Sequence, residues 1–228
     1  MGQPILITGC ARSGTSMTAG IIDICGAWGG KMSGSTRYNQ KGMFENTNIR
    51  QDIVKPTLRG INCDPMGQFP LPTERHLEGF GEQQAERLRG KVLSILKLQG
   101  LREDTTWFYK GAKLCLLWTL WHKAFPNAKW IIVRRDPKNI AESCMRTGFM
   151  RAYDTLEGWL SWAYVHEARF ESMREAGLQV QEVWPHKMVE GSLKEMREVV
   201  EWLELDWREH DVIDFITPAL WKRGKSGK

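Results

Sequence analysis

Long apolar runs are missing from this sequence: the longest, residues 114–121, falls far short of the ~20 residues that a membrane-crossing helix needs. Cysteine is sparse and unfavourably spaced. The five residues Cys10, Cys25, Cys63, Cys115 and Cys144 form no C-x-x-C pair, which argues against a disulfide framework and a zinc site and fits a reducing cytoplasm. Excess charge is also small. The formal net charge is +5, and Lys222, Arg223, Lys225 and Lys228 supply four of those charges, so the pI near 9.0 reflects a basic tail and no nucleic-acid surface is indicated. Met1 leads almost directly into a strand pattern at Pro4, so neither a signal peptide nor an anchor is expected. With 42% hydrophobic and 26% charged residues and a mean hydropathy of -0.42, the chain is neither disordered nor collagen-like. Without a repeat or an internal linker, residues 1–228 read as one domain, the last seven or so (about 222–228) being a basic, disordered tail.

What the sequence does contain is an alternation of strands and helices. Residues 4–9 are a short apolar run closed by glycine, and residues 14–24 continue at helical spacing with Met17, Ile21 and Ile24 on one face. Gly29, Gly30, Gly34 and Gly42 mark a loop ahead of a polar helix at about 45–58. Residues 60–80, with Pro65, Pro70 and Pro72, read as a mobile surface segment over the site. Further helices are expected at 83–99, 114–124, 137–146, 155–176 and 193–203, and further strands at 105–109, 129–135 and 179–184. The expected fold is therefore α/β: three layers, with a central, mostly parallel sheet flanked by helices and right-handed crossovers. Ligands of such sheets bind outside the carboxyl ends of the strands.

Two loops at that edge carry chemistry. Gly9-Cys10-Ala11-Arg12-Ser13-Gly14-Thr15-Ser16 has the outline of a phosphate-binding loop, with hydroxyls at a helix start where backbone N–H groups favour an anion. A nucleoside-triphosphate loop needs lysine directly after its second glycine; here Thr15 stands there and the cation is Arg12. The competing reading is a plain glycine turn between strand and helix. In the second loop, Arg134-Arg135-Asp136-Pro137 ends the strand at 129–135, and Ser143 lies in the helix that Pro137 opens. An arginine fork beside a helix hydroxyl can hold a second phosphate, and a helix cap with surface ion pairs is the alternative.

Arg12-Ser13-Gly14-Thr15-Ser16 resembles the 5′-phosphosulfate loop of sulfotransferases in its Golgi and bacterial form, R-S-G-[ST]-S. Arg135-Asp136-Pro137, with Ser143 eight residues after Arg135, is similar to the family's R-x-P motif and following serine, which grip the donor's 3′-phosphate. Asn39-Gln40-Lys41-Gly42-Met43-Phe44-Glu45 looks like the N-x-x-G-x-x-E stretch of bacterial members. Trp107-Phe108-Tyr109-Lys110-Gly111-Ala112-Lys113-Leu114-Cys115-Leu116 looks like their W-x-x-K-D-P-R-L-C-L strand end, with Gly111-Ala112 for D-P and Lys113 for the arginine. The family's C-terminal R-K-G is matched only weakly, by Lys222-Arg223-Gly224, and the aromatic that follows the loop in the cytosolic branch is Met17 here.

The resemblance implies a P-loop-type nucleotide-binding fold and a P-loop-like donor site. It implies 3′-phosphoadenosine 5′-phosphosulfate as donor, adenosine 3′,5′-bisphosphate as product and no metal. The acceptor is a hydroxyl or amine of unknown identity; no nucleic-acid or membrane partner is expected, and the oligomeric state is open. Arg12 and Ser13, Gly14, Thr15 and Ser16 would hold the 5′-phosphosulfate, and Arg135 and Ser143 the 3′-phosphate. Lys110 would be a second cation at the transferring group. The general base is expected to be Glu45, with His76 as the main rival, and His122 and His166 read as structural. The alternatives are a small P-loop kinase or nucleoside-triphosphatase and an inactive nucleotide-binding protein of the same fold. Of the eleven tryptophans, Trp118, Trp121, Trp159 and Trp162 fall at helical spacings and read as core.

Overall fold

The computed structural model of the chain describes residues 2–37 and 39–222; the tail expected beyond Lys222 lies outside them. The described strands form one parallel sheet of order β2-β1-β3-β4, from β1 (Pro4–Gly9), β2 (Trp107–Lys110), β3 (Lys129–Val133) and β4 (Val180–Val183). Strand β1 lies between β2 and β3, pairing Ile5 with Phe108 and Lys129, which is why its residues 5–9 are all buried. The edge strand β4 buries only Val183 fully. The strands expected at 105–109, 129–135 and 179–184 are thus present with shorter extents, at Trp107–Lys110, Lys129–Val133 and Val180–Val183.

Each face of the sheet has its own apolar layer, as a period of two along a strand demands. On one face Leu6, Tyr109, Trp130 and Ile132 meet α2 (Lys55–Gly60), α4 (Glu82–Leu98), α5 (Trp118–Ala124) and α7 (Leu156–Glu175), through Leu58, Val92, Trp121 and Phe170. On the other, Ile5, Ile7, Ile131 and Val133 meet α1 (Thr15–Ile24), α9 (Lys194–Trp202) and α10 (Glu209–Phe215), through Ile22, Val199 and Val212. Each such fully buried side chain contributes about 1.5–3 kcal/mol. Helix α6 (Pro137–Met145) packs on α7 through Ile140, Cys144, Trp159 and Trp162. Trp118, Trp121, Trp159 and Trp162 are all buried. The short helices α3 (Glu74–Glu78), α8 (Pro185–Val189) and α11 (Pro218–Lys222) were not expected, because five residues are too few to show a helical period. Among the described residues no helix is long and apolar enough to cross a membrane.

Residues 60–80 were expected to be mobile, and the structure shows them pinned. Asp64 accepts from the backbone N–H groups of Met66 and Gln68, the buried Gln68 side chain donates to the Phe149 carbonyl, and Trp162 Nε1 donates to the Gly67 carbonyl at 3.1 Å. Arg169 donates to the Pro72 carbonyl. Prolines and glycines here shape a hydrogen-bonded loop.

His166 belongs to the same support. It is 1% exposed, packs at a tilt against Trp162 with ring centroids 4.3 Å apart, and its Nδ1 lies 2.9 Å from the Trp162 carbonyl. Burial first, and the Arg169 charge in addition, bring its pKa from 6.5 to about 4. The folded state then binds fewer protons than the unfolded chain, so this contribution is whole above pH 6.5 and is lost as pH falls toward 4. The loss amounts to about 3 kcal/mol at about 1.4 kcal/mol per pH unit. Urea unfolding at several pH values should show a shallower acid decline for His166→Gln than for the wild type; equal slopes would refute this assignment.

Candidate active site

Strand β1 ends in the loop 10–14, and the backbone there is unusual. Arg12 has φ 73° and Gly14 has φ 104°, so a non-glycine residue is held in the left-handed region at a cost of about 1–3 kcal/mol. Gly14 serves as N-cap without a side-chain cap, and no acidic residue lies in the first turn of α1, so its leading N–H groups remain oriented toward an anion. Ser13 N–H closes the loop onto the Cys10 carbonyl at 3.1 Å.

The second loop leaves β3, the neighbour of β1, and the two are bonded together. Arg135 donates to the Arg12 carbonyl at 2.7 Å, and Arg12 Nε donates to Ser143 Oγ at 3.1 Å. Asp136 caps α6 by accepting from Asn139 N–H at 3.0 Å, which positions Ser143 in the helix's second turn. Arg134 does not join Arg135 there. Arg134 turns away to pair with Glu167 at 2.5 Å and Glu182 at 2.6 Å, between the rings of Phe170 and Trp184. Successive strand-end residues point to opposite faces, so only Arg135 faces the cleft.

The end of β2 brings the third part. Thr8 locks it to β1: its hydroxyl donates to the Gly111 carbonyl and accepts from Cys115 N–H, while Gly111 N–H donates to the Ile7 carbonyl. This fixes Lys110, 4% exposed, with Nζ 3.4 Å from Ser16 Oγ. Glu45, likewise 4% exposed, has Oε1 3.5 Å from the Tyr109 hydroxyl and Oε2 3.9 Å from Arg50. The helix that follows Glu45 is in part a π-helix, Ile49–Val54, running into α2, and its cap is Asn46, whose Oδ1 accepts from Ile49 N–H at 3.3 Å. Glu45 therefore has no capping duty.

Arg12, Gly14, Thr15, Ser16, Glu45, Lys110, Arg135 and Ser143 all line one cleft of about 470 Å³ at the carboxyl edge of the sheet. Ser13 is buried beneath it, with a hydroxyl that has no hydrogen-bond partner among the described residues. None of the three histidines named from the sequence lines the cleft. His76 sits at the third position of α3 as half of a capping box with Thr73, 3.0 Å from both its N–H and its hydroxyl, so it is removed as a rival base. Among the described residues, no group of three or more His, Cys, Asp or Glu side chains is arranged to hold a metal.

Positive charge crowds this cleft. Burial, then the Arg12 and Arg146 charges, lower Arg135 from its ordinary value. Burial brings Lys110 down to about 8; Glu45 opposes the shift, and Lys113 and Arg50 add to it. Cations that raise one another's free energy in this way are stabilised by an anion placed among them. The sequence reading missed Trp221, whose ring lies 4.6 Å from the Arg135 guanidinium and against Gly14, and which lines the cleft with Leu220 and Thr217. Its only sequence signal was an aromatic residue just before a basic tail.

A family model described as "Sulfotransferase family" matches residues 4–209. No curated protein matches significantly. Among solved structures, the sulfotransferase domain of the Synechococcus PCC 7002 olefin synthase is 14% identical with a TM-score of 0.57, covering 100% of this chain and 88% of that one. Sulfotransferase STF9 from Mycobacterium avium is 14% identical with a TM-score of 0.55, covering 100% and 69%. Sulfotransferase STF1 from Mycobacterium tuberculosis H37Rv is 13% identical with a TM-score of 0.54, covering 98% and 76%. At these identities the structural likeness speaks for the fold.

Proposed function

The chain belongs to the sulfotransferase family, and on that premise we propose that it acts as one domain moving a sulfuryl group from 3′-phosphoadenosine 5′-phosphosulfate to a hydroxyl or amine acceptor. One observation carries the choice of donor: two cationic loops, each following one of two adjacent strands, are bonded to each other through Arg135, Arg12 and Ser143. That arrangement fits a ligand with two separate phosphate groups. Arg12 and the backbone of Ser13, Gly14, Thr15 and Ser16 take the 5′ end, and Arg135 and Ser143 the 3′-phosphate.

The donor supplies an activated sulfuryl group, whose transfer resembles phosphoryl transfer in depending on positioning and charge stabilisation. The chain's residues divide that work. Glu45 accepts the proton of the acceptor's hydroxyl or amine as the new S–O or S–N bond forms. The breaking S–O bond leaves its electron pair on the 5′-phosphate oxygen, where Arg12 and Lys110 stabilise it. Arg12 carries a guanidinium, which gives hydrogen bonds but no proton. Lys110, brought to about 8, can give either.

Transfer of labelled sulfate to a panel of sugars, phenols, alcohols and amines tests the reaction. Labelled product is expected with the sulfate-labelled donor and none with ATP labelled in its γ-phosphate. Arg12→Ala should lower kcat more than it weakens bisphosphate binding, because charge on the leaving oxygen grows toward the transition state, and Arg12→Lys should retain much of the activity. An Arg12→Ala variant that fails only through donor affinity makes Arg12 a binding residue. Donor binding without any transfer makes the protein an inactive member of the fold.

A further inference from the structure

We propose that the acceptor carries an anionic group, a carboxylate, sulfate or phosphate ester, held by Arg50, Lys55 and Lys113 on the β2 side of the cleft. This rests on the sulfuryl-transfer reading and adds a substrate class to it. All three residues line the cleft. Arg50 comes from the π-helical stretch, Lys55 from the start of α2 and Lys113 from the loop after β2. Strand β1 carries the first donor loop and β3 the second, whereas β2 lies on the other side of β1 from β3. The trio is therefore set off from Arg135 and Ser143.

These cations have little to neutralise them. Among the described residues, the side chains of Lys55 and Lys113 form no ion pair or hydrogen bond, and the only carboxylate lining the cleft is Glu45, 3.9 Å from Arg50. Arg50 Nε is buried with no hydrogen-bond partner among the described residues. Burial lowers Lys55 from its ordinary value, and the Arg50, Lys113 and Arg59 charges lower it further, while Glu45 opposes them. The stem of Lys113 runs beside Gly67, which is itself held by Trp162. A guanidinium fork flanked by two ammonium groups suits an oxyanion of two or more oxygens. Glu45 lies beside Arg50, so a hydroxyl activated at Glu45 and an anionic substituent reaching Arg50 belong to one small molecule or one sugar residue.

The experiment uses protein saturated with adenosine 3′,5′-bisphosphate and measures by calorimetry the binding of matched pairs: methyl glucuronoside and methyl glucoside, glycerol 3-phosphate and glycerol, 4-hydroxyphenylacetate and its amide. The anionic member of at least one pair should bind ten times or more tighter than the neutral one. The double variant Lys55→Met/Lys113→Met keeps the apolar stems and should lose most of that preference. Its affinity for the bisphosphate should stay within about twofold of wild type, and its melting temperature should be unchanged or higher because like charges are removed. Inorganic sulfate should compete with the anionic member; sulfate binding without any preference for acidic acceptors would mark a free-anion site and overturn the proposal. Equal binding within every pair, no binding by any member, or a double variant that keeps the preference also overturns it. If the variant instead weakens the bisphosphate, the trio serves the donor and the proposal falls. If wild type does not bind the bisphosphate, the donor reading fails first and takes this inference with it.

Discussion

Glu45→Gln should lower turnover by ~10² to 10⁴ while donor affinity holds or improves, the loss expected when a general base is removed but its shape is kept. The direction of the binding effect follows from charge. Among the described residues Glu45 is the only carboxylate lining the cleft in which Arg12, Lys110 and Arg135 would meet the donor, so its removal leaves the site more attractive to an anionic donor. A purely structural Glu45 would behave differently. It would cost stability through the lost Arg50 pair and the Tyr109 contact, and turnover would change by no more than a few fold. The capping role that competes most obviously for this residue is taken by Asn46. Single-turnover kinetics at saturating donor, combined with a melting curve, separate the two outcomes. Nearly unchanged turnover sinks the assignment of Glu45 as base and leaves the donor site standing.

Arg135→Ala should raise the dissociation constant for adenosine 3′,5′-bisphosphate by about 10- to 150-fold, corresponding to ~1.5–3 kcal/mol for a charge-assisted contact. Ser143→Ala removes a neutral hydroxyl worth ~0.5–1.5 kcal/mol and should cost about 2- to 12-fold. The arginine loss is the larger for a second reason as well. Arg135 ties the two loops together through its bond to the Arg12 carbonyl, so its removal also loosens the loop that holds the 5′ end. Folding should be little affected, since Arg135 is crowded by cations and makes no ion pair among the described residues. If both variants bind the bisphosphate like wild type, the loop after β3 is only the cap of α6.

Where the sequence could be read, the reason is physical. The strands PILITG and KWIIV are buried on both faces and so are continuously apolar, and Asp136-Pro137 is an N-cap and first-turn pair that the structure uses for α6. Arg12 and Arg135 stand out because each follows a strand at the sheet's carboxyl edge, whereas Glu45, Lys110 and Ser143 were named through the resemblance to sulfotransferases; all five line one cleft. Arg134, given no role at the site from the sequence, neighbours Arg135, yet the strand sends the two to opposite faces and Arg134 pairs with Glu167 and Glu182. Residues 60–80 were misread because proline and glycine mark turns without revealing whether long-range side chains such as Trp162 and Arg169 pin them. Trp221 and His76 lie in five-residue helices, too short for a period, so the contact of one with Arg135 and the capping role of the other were hidden.

The central claim is that this cleft holds a nucleotide carrying phosphates at both its 3′ and 5′ positions, and titration calorimetry without magnesium tests it most directly. Adenosine 3′,5′-bisphosphate should bind much more tightly than AMP or ATP, because only it can engage Arg135 with Ser143 and the Arg12 loop at the same time. Equal affinity for AMP, or an absolute requirement for magnesium, would contradict the account.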